Sequence, residues 1–146
     1  METGEPLSIL LIDIDHFKQF NDKFGHQFGD QVLSLISQVL KDHLRKEDLA
    51  VRYGGEELLG ILPGADLAVC QAVAERVRQA IARRRERRAT GETLSSVTVS
   101  IGVAQFVAGE PFSNLIGRCD RALYAAKRAG RNRVVNEREI GGSAAA

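Results

Sequence analysis

The feature that most constrains the fold is a nearly continuous apolar run, Leu7–Ile14, which contains Asp13 and is followed directly by Asp15. An apolar run without regular polar alternation is typical of a strand that is covered on both faces. Side chains two residues apart in a strand lie on one face, so Asp13 and Asp15 are expected to point to the same side. The run therefore predicts a central strand with negative charge gathered at one end.

The segments that follow predict a mixed sheet with helices packed against it. Helical patterns cover residues 16–23, 30–46, 66–83 and 112–129, and strand patterns cover residues 49–53, 56–62, 97–107 and 133–135. Because a hairpin is combined with crossover connections, this order predicts an α+β palm with a mixed, mainly antiparallel sheet. The chain has no Gly-x-Gly-x-x-Gly motif, and its pattern does not resemble a doubly wound nucleotide-binding fold.

Local signals give further expectations for the ends and faces of these elements. Asp66 is expected to cap the third helix, and Gly130 is expected to end the fourth. The Gly54–Gly55 pair is expected to form a primed turn with positive φ. The predicted buried residues are Val69, Val73, Val77 and Ile81 in the third helix and Leu115, Ile116, Leu123 and Tyr124 in the fourth.

Composition is typical of a single globular domain. The chain has 146 residues, of which 44% are hydrophobic, and a formal net charge of +1. So small a charge gives no general attraction for nucleic acid or an anionic membrane. Cys70 and Cys119 lie in apolar helical patterns without metal-ligand spacing, which indicates buried thiols in a reducing cytoplasm. The polar start, Met1–Pro6, and the lack of an apolar run of about 20 residues predict neither a signal peptide nor a membrane span.

A second acidic pair, Glu56 and Glu57, directly follows the two glycines of the hairpin. If the end of the first strand lies beside this hairpin, Asp13 comes close to Glu56. Carboxylates that meet in this way repel one another, and partial burial increases the cost. Magnesium relieves the repulsion and commonly keeps phosphate oxygens among its ligands. The pattern therefore favours a metal-assisted phosphoryl site over the plain alternative of a solvated turn.

Five short motifs extend this interpretation. They are Ile12–Lys18, Asn21–His26, Gly29–Asp30, Arg52–Glu57 and Lys127–Asn132. Together they closely resemble the GGDEF family of diguanylate cyclases, over about residues 9–135. The resemblance implies a palm of the nucleotide cyclase, ferredoxin-like type, with residues 1–140 as the GGDEF domain. The small residues at positions 141–146 predict a flexible tail. It also implies condensation of two GTP molecules to cyclic di-GMP, with attack of each 3′-hydroxyl on an α-phosphorus and release of two pyrophosphates.

The resemblance implies a role for each matching residue. Asp13, Glu56 and the Ile14 carbonyl are similar to the family's ligands for Mg²⁺, with Mn²⁺ as an alternative ion. Glu57 is similar to the acid that helps to activate the 3′-hydroxyl or binds a second metal, so that Asp13, Glu56 and Glu57 are the expected catalytic residues. Asn21 and Asp30 are similar to the guanine-reading pair. The expected phosphate-binding residues are His16, Phe17, Lys18, Gly54, Gly55, Lys127 and Arg131.

Simpler interpretations stay open for several of these residues. Asn21 and Asp30 have the residue types that cap helices. The cations Lys18, Lys127 and Arg131 have the residue types of solvated surface groups. In the context of all five motifs, we favour the functional interpretation of these polar groups.

A regulatory site is also implied. Arg45 and Asp48 resemble the family's Arg-x-x-Asp product-inhibition site, and Arg76 matches a further inhibitory position on the following helix. The alternative for the first two residues is an exposed ion pair worth about 0–1 kcal/mol. One guanine site for each chain further implies a symmetric and transient homodimer in the active state, with GTP as substrate and cyclic di-GMP as product and inhibitor.

Two departures from the family pattern and two competing functions complete the expectations. Leu58 replaces the usual Phe, and the Asp-x-Leu-Thr segment and helix that precede the first strand are not seen, which is expected to affect stability and turnover more than GTP recognition. One competing function is a module that binds GTP or cyclic di-GMP without making it. The other is nucleic-acid binding through Arg83–Arg88, which Glu86 interrupts and which lacks stacking aromatics. We expect neither a nucleic-acid nor a membrane partner for this chain.

Overall fold

A five-stranded sheet forms the centre of the part of the chain that the structure, a computed structural model, describes: residues 4–84 and 97–140. The elements are β1 (Leu7–Ile14), α1 (Phe17–Phe24), α2 (His26–Asp42), β2 (Leu49–Arg52), β3 (Glu57–Pro63), α3 (Leu67–Arg83), β4 (Val99–Gln105), α4 (Phe112–Arg128) and β5 (Arg133–Asn136). The strand order is β2-β3-β1-β4-β5, and every pair except β4–β5 is antiparallel. The predicted α+β fold with a mixed, mainly antiparallel sheet is confirmed.

Strand β1 occupies the middle of the sheet, as its apolar run predicts. Its two faces serve two cores, because side chains alternate along a strand. Leu10 and Ile12 are fully buried against residues of α2 and α3. Ile9 and Leu11 are fully buried on the other face, against α4. The alternation assigns Asp13 to the α4 face, so its carboxylate lies on the same side of the sheet as the C-terminal end of that helix.

Helix α4 approaches the sheet closely at Gly102 of β4. A Cβ atom at Gly102 would lie 2.4 Å from the carbonyl oxygen of Cys119 and 2.4 Å from the amide nitrogen of Leu123. No side chain fits such a gap, so glycine permits direct contact between helix backbone and sheet. The close packing fixes the height of α4 above β1 and β4, and with it the position of residues at the end of the helix.

Several local predictions are confirmed and two are wrong. Asp66 caps α3 by accepting a hydrogen bond of 2.9 Å from the Val69 amide. Gly130 has φ 124° directly after α4, as expected for a helix-ending glycine. Val69, however, is 49% exposed and Tyr124 is 60% exposed, so neither belongs to the core. A repeat of four residues drifts by about 40° per step around a helix, which carries Val69 off the buried face, and Tyr124 is about 100° from the buried Leu123.

The hairpin between β2 and β3 differs from the predicted primed turn. Neither Gly54 nor Gly55 has a positive φ. The Tyr53 amide donates to the Glu57 carbonyl at 2.8 Å, so the chain reverses through residues 54–56 instead of through two residues. The guanidinium of Arg52 donates to the carbonyls of Gly54 at 3.3 Å and Gly55 at 2.6 Å, and these bonds stabilise the longer loop.

The prediction that both cysteines are buried thiols is confirmed. Cys70 and Cys119 are both buried and unpaired with each other, and burial raises the pKa of the Cys70 thiol to about 12. Within the described residues, no helix combines the length and the apolar character that a membrane span requires. The predicted tail, residues 141–146, and most of the basic cluster Arg83–Arg88 lie outside the described residues.

Candidate active site

A cleft of about 170 Å³ opens where β1 passes into α1. It brings together the end of β1, the start of α1, the hairpin and the segment around the end of α4. The residues that line it are Asp13, Ile14, Asp15, His16, Phe17, Lys18, Gln19, Glu56, Lys127 and Arg131. Eight of these belong to the predicted metal and phosphate sets, so residues up to 118 positions apart in the sequence converge on one cleft.

Asp13 stands at the centre of this convergence. It pairs across the sheet with Glu57 of β3, which brings the hairpin carboxylates to the end of β1. The ammonium group of Lys127 donates to Asp13 Oδ2 at 2.7 Å from the last turn of α4. Asp13 is 7% exposed and Lys127 33% exposed, so this ion pair lies at the wall of the cleft and not on open surface. The close packing of α4 at Gly102 brings Lys127 within reach of the carboxylate.

The two hairpin glutamates are held in surroundings that disfavour their negative charge. Burial raises the pKa of Glu56, and the charge of Asp13 raises it further, while Lys127 opposes both effects. Burial is likewise the largest cause of the raised pKa of Glu57, followed by Asp13, and Asp120 and Glu56 add to it. Lys127 offsets only part of these effects, because the pKa values of both glutamates remain raised, and a bound cation would relieve the remainder.

Magnesium fits this donor set. Mg²⁺ takes oxygen ligands, commonly one or two carboxylates together with phosphate oxygens, and rarely a complete cage of protein groups. The described residues contain no group of three or more His, Cys, Asp or Glu side chains arranged to hold an ion by themselves. Asp13, Ile14 and Glu56 line the cleft, whereas Glu57 is not among the lining residues. The first three are thus the residues able to share an ion with a bound phosphate.

The start of α1 contributes Phe17, Lys18 and Gln19 to the cleft lining. His16 has a left-handed backbone, φ 57°, that turns the chain from β1 directly into the helix beginning at Phe17. The first amides of a helix have no intrahelical acceptor and bind anions readily. Phe17 is buried, which anchors this end of the helix, while Lys18 is exposed beside the cleft. Gly54 and Gly55 do not line the cleft, and they stand at the tip of the hairpin just before Glu56.

The predicted guanine readers lie on α1 and α2, outside the cleft lining. Asn21 Oδ1 is buried and has no hydrogen-bond partner among the described residues. It packs on Gly29, where a Cβ atom would lie only 1.7 Å from that oxygen. Asp30 is exposed on the next position of α2. Neither residue caps its helix, because the N-caps are His16 and Gly25, so the capping interpretation is wrong.

Two of the predicted inhibitory residues, Arg45 and Asp48, form an ion pair, but it is not the exposed pair of the simpler interpretation, because the Asp48 side chain is only 2% exposed. Arg45 donates to both carboxylate oxygens of Asp48, through Nε at 3.1 Å and Nη2 at 2.8 Å, and also to the Pro63 carbonyl at 2.7 Å. This arrangement holds the guanidinium beside the start of α3. Arg76 is exposed on the same helix, α3.

The role of Asp15 could not be inferred from the sequence. Its buried carboxylate accepts hydrogen bonds of 2.7 Å from the hydroxyls of Thr98 and Ser100. A third bond, of 3.0 Å, comes from the Asn132 amide. The only sequence signal was the spacing of Asp15 two residues after Asp13 on one face, and that spacing did not distinguish a ligand-binding carboxylate from one satisfied by protein donors.

Comparison with known proteins decides the family. Residues 1–133 match the family model described as diguanylate cyclase, GGDEF domain. The chain belongs to this family. Diguanylate cyclase VdcA of Vibrio cholerae is 41% identical over 136 residues, which cover 92% of this chain and 40% of that protein. Diguanylate cyclase DosC of Escherichia coli is 42% identical over 132 residues, which cover 90% of this chain and 28% of that protein. The GGDEF domain thus spans well under half of the length of these curated relatives.

A solved structure agrees with the sequence comparison. The GGDEF domain of DgcB from Caulobacter crescentus, crystallised in complex with c-di-GMP, is 40% identical and superposes with a TM-score of 0.90. The match covers 94% of this chain and 81% of that one. The fold predicted from the apolar patterns and the family suggested by the five motifs are therefore both confirmed.

Proposed function

We propose that this GGDEF domain is a diguanylate cyclase module that condenses two GTP molecules into cyclic di-GMP and two pyrophosphates. The observation that supports it is the convergence of Asp13 and Glu56 with two cations, Lys127 and Arg131, on one cleft. Carboxylates suited to Mg²⁺ beside cations suited to phosphate are what a nucleoside triphosphate requires. The relatives named diguanylate cyclases are consistent with this activity.

Different residues of the site bind the metal, bind the phosphates and activate the nucleophile. When bound by Asp13, Glu56 and the Ile14 carbonyl, Mg²⁺ supplies neutralisation of charge on the phosphate oxygens. Lys127 and Arg131 bind the outer phosphates and stabilise the pyrophosphate that leaves. Most of the acceleration in such transfers comes from positioning and electrostatics.

Glu57 is the proposed base for the attacking 3′-hydroxyl. Its pKa is raised above that of an ordinary glutamate, so its carboxylate binds a proton more tightly. A carboxylate of this kind accepts the hydroxyl proton as the oxygen attacks the α-phosphorus. Because Glu57 does not line the phosphate cleft, its removal is expected to affect turnover more than GTP binding.

Guanine is read by Asn21 and Asp30. A carboxylate accepts from guanine N1–H and N2–H, and an amide both donates and accepts. The buried Asn21 Oδ1 lacks a protein donor among the described residues, so an N–H group of a bound base would satisfy it. Because Gly29 has no Cβ atom, the Asn21 side-chain oxygen can occupy the space against α2.

Two molecules of the domain must meet to join two nucleotides, because each chain offers one guanine-reading pair. We infer a transient homodimer in which each subunit presents its GTP to the other. Product inhibition is proposed at Arg45, Asp48 and Arg76, where cyclic di-GMP would compete for the guanidinium now held by Asp48. The buried free thiols are consistent with a cytoplasmic location.

Incubation with GTP and Mg²⁺, followed by chromatography of the nucleotides and a pyrophosphate assay, tests the activity. We expect cyclic di-GMP and pyrophosphate in a ratio of one to two. Glu57→Gln is expected to abolish product while GTP still binds, and Arg45→Ala is expected to relieve inhibition by added product. If the wild type binds GTP or cyclic di-GMP tightly but makes no product, the domain is a binding module and the catalytic proposal is wrong.

A further inference from the structure

The carboxylate of Asp15 is held by protein donors at the edge of the cleft. It is 8% exposed and accepts three hydrogen bonds, from Thr98, Ser100 and the backbone amide of Asn132. A buried carboxylate satisfied by hydroxyls and an amide is a fixed anchor and not a free ligand for an ion. Among its partners, Asn132 alone comes from the segment that follows α4.

That segment has an unusual backbone. Gly130, Arg131 and Asn132 have φ values of 124°, 65° and 48°, so three successive residues lie in the positive region. A non-glycine residue there costs of order 1–2 kcal/mol, and such conformations persist only when surrounding contacts enforce them. The Arg131 amide donates to the Ala126 carbonyl at 3.0 Å, which secures the first part of the turn to α4.

A second anchor reaches the turn from α3. Arg78 Nη1 donates to the side-chain oxygen of Asn132 at 2.8 Å. The same guanidinium is oriented by Glu75, whose two oxygens accept from Nε and Nη2 at 2.7 Å each. Asn132 is therefore held at its amide by Asp15 and at its side chain by Arg78, although neither of these residues neighbours it in sequence.

We propose that Asp15, Arg78 and Asn132 are positioning residues that hold the left-handed turn so that Arg131 presents its guanidinium to the phosphates in the cleft. This inference rests on the proposed function, because Arg131 is there assigned to phosphate. Arg131 lines the cleft immediately before the doubly anchored Asn132. Release of either anchor lets the turn relax to ordinary φ values, which moves the arginine away from the ligand.

Substitutions at Asn132 can separate the effect of its side-chain hydrogen bond from the effect of its backbone conformation. Asn132→Gly keeps a residue that adopts positive φ freely and keeps the amide bonded to Asp15, but it removes the oxygen that Arg78 contacts. Arg78→Ala removes the same hydrogen bond from the other side. Arg83→Ala, an exposed arginine on the same helix, is the matched control. Hydrogen bonds to charged groups of this kind are worth about tenfold or more in an equilibrium constant.

The test measures GTP affinity by calorimetry and the hydrogen-exchange rate of the Asn132 amide by NMR. We expect Arg78→Ala and Asn132→Gly each to weaken GTP binding about tenfold. The double variant should bind GTP no more weakly than either single variant, because both substitutions remove the same hydrogen bond. In an Arg131→Ala background, neither substitution should weaken GTP binding further. Arg83→Ala should bind like the wild type. The amide of Asn132 should exchange faster in Arg78→Ala than in the wild type, without any ligand present.

The outcomes separate the inference from the function on which it rests. If Arg131→Ala weakens GTP binding but Arg78→Ala and Asn132→Gly do not, the inference is overturned and the proposed function stands. Additive losses in the Arg131→Ala background overturn it as well, because they indicate general destabilisation. If the wild type does not bind GTP, the proposed function fails and the presentation of Arg131 to phosphate fails with it. The exchange rate then tests the anchoring alone: acceleration in Arg78→Ala supports the anchoring of the turn by Arg78, and an unchanged rate refutes it.

Discussion

Glu56 and Glu57 place negative charge beside Asp13 at the wall of the cleft, in partly buried surroundings that raise both pKa values. A folded-state pKa above the unfolded value means that the native protein binds these protons more tightly. The tighter proton binding stabilises the folded protein fully at pH values below the unfolded-state pKa. This stabilisation is lost as the pH rises through the folded-state pKa. At neutral pH both groups therefore lower the stability of the metal-free domain.

Glu56→Gln and Glu57→Gln should each raise the melting temperature of the metal-free domain at about pH 7, because a neutral amide avoids the cost of burying a charged carboxylate and also removes the repulsion with Asp13. The gain should not exceed about 1 kcal/mol, since both side chains are partly solvated and screened. It should disappear at about pH 4, where the glutamates are protonated. Thermal unfolding with chelator at both pH values checks this, with the exposed Glu47→Gln as control. A loss of stability at neutral pH would contradict the assigned repulsion.

Gly29 determines whether the Asn21 amide can occupy its buried position. Gly29→Ala places a methyl group 1.7 Å from Asn21 Oδ1, so the amide must be displaced. We expect a loss of about 1–3 kcal/mol of stability and weaker preference for GTP over ATP. In an Asn21→Ala background the obstacle is absent, and the same substitution should be neutral or stabilising by up to about 1 kcal/mol. Equal effects in both backgrounds, measured by denaturant unfolding, would refute the contact.

The contact between α4 and β4 controls where Lys127 lies. Gly102→Ala forces the backbone of α4 off the sheet, because a Cβ there meets backbone atoms of Cys119 and Leu123 at 2.4 Å. We expect it to destabilise the domain by about 3 kcal/mol or more. Gly117→Ala in the same helix is the control, since its Cβ meets only the Arg121 side chain at 3.9 Å and a helical alanine is favoured. Urea titration of both variants should show opposite shifts.

Much of this element arrangement was predictable from the sequence. The β1 strand and the Asp66 cap depend on residues close together in the sequence, so a sequence pattern is enough to predict them. The predicted helices and strands match the observed ones except at their ends. The exposed Val69 and the three-residue hairpin loop were not predictable, because helix drift and the hydrogen bonds of Arg52 depend on surroundings that a pattern does not contain. The site was predicted through its motifs, but the ion pair of Asp13 with Lys127 and the anchoring of Asp15 required the packing of α4 and β4.

The described residues hold one proposed guanine-reading pair and one cleft lined by both Asp13 and Glu56, so the proposed reaction requires two copies of the molecule. At concentrations below the dimer dissociation constant, the initial rate should rise with the square of the enzyme concentration. Above it, the rate should become proportional to concentration. Measurement of pyrophosphate release over a wide range of enzyme concentration checks this. Strict proportionality at every concentration at which sedimentation shows a monomer would contradict the shared reaction.

In the proposed site, oxygens of Asp13 and Glu56 meet around one divalent cation at the phosphates of GTP. A crystal grown with Mn²⁺ and a non-hydrolysable GTP analogue tests it most directly, because manganese is located by its anomalous scattering. We predict one peak within about 2.0–2.3 Å of an oxygen from each carboxylate, with Lys127 and Arg131 against the phosphates. A manganese peak elsewhere, or an analogue bound with its phosphates away from this cleft, would contradict the account.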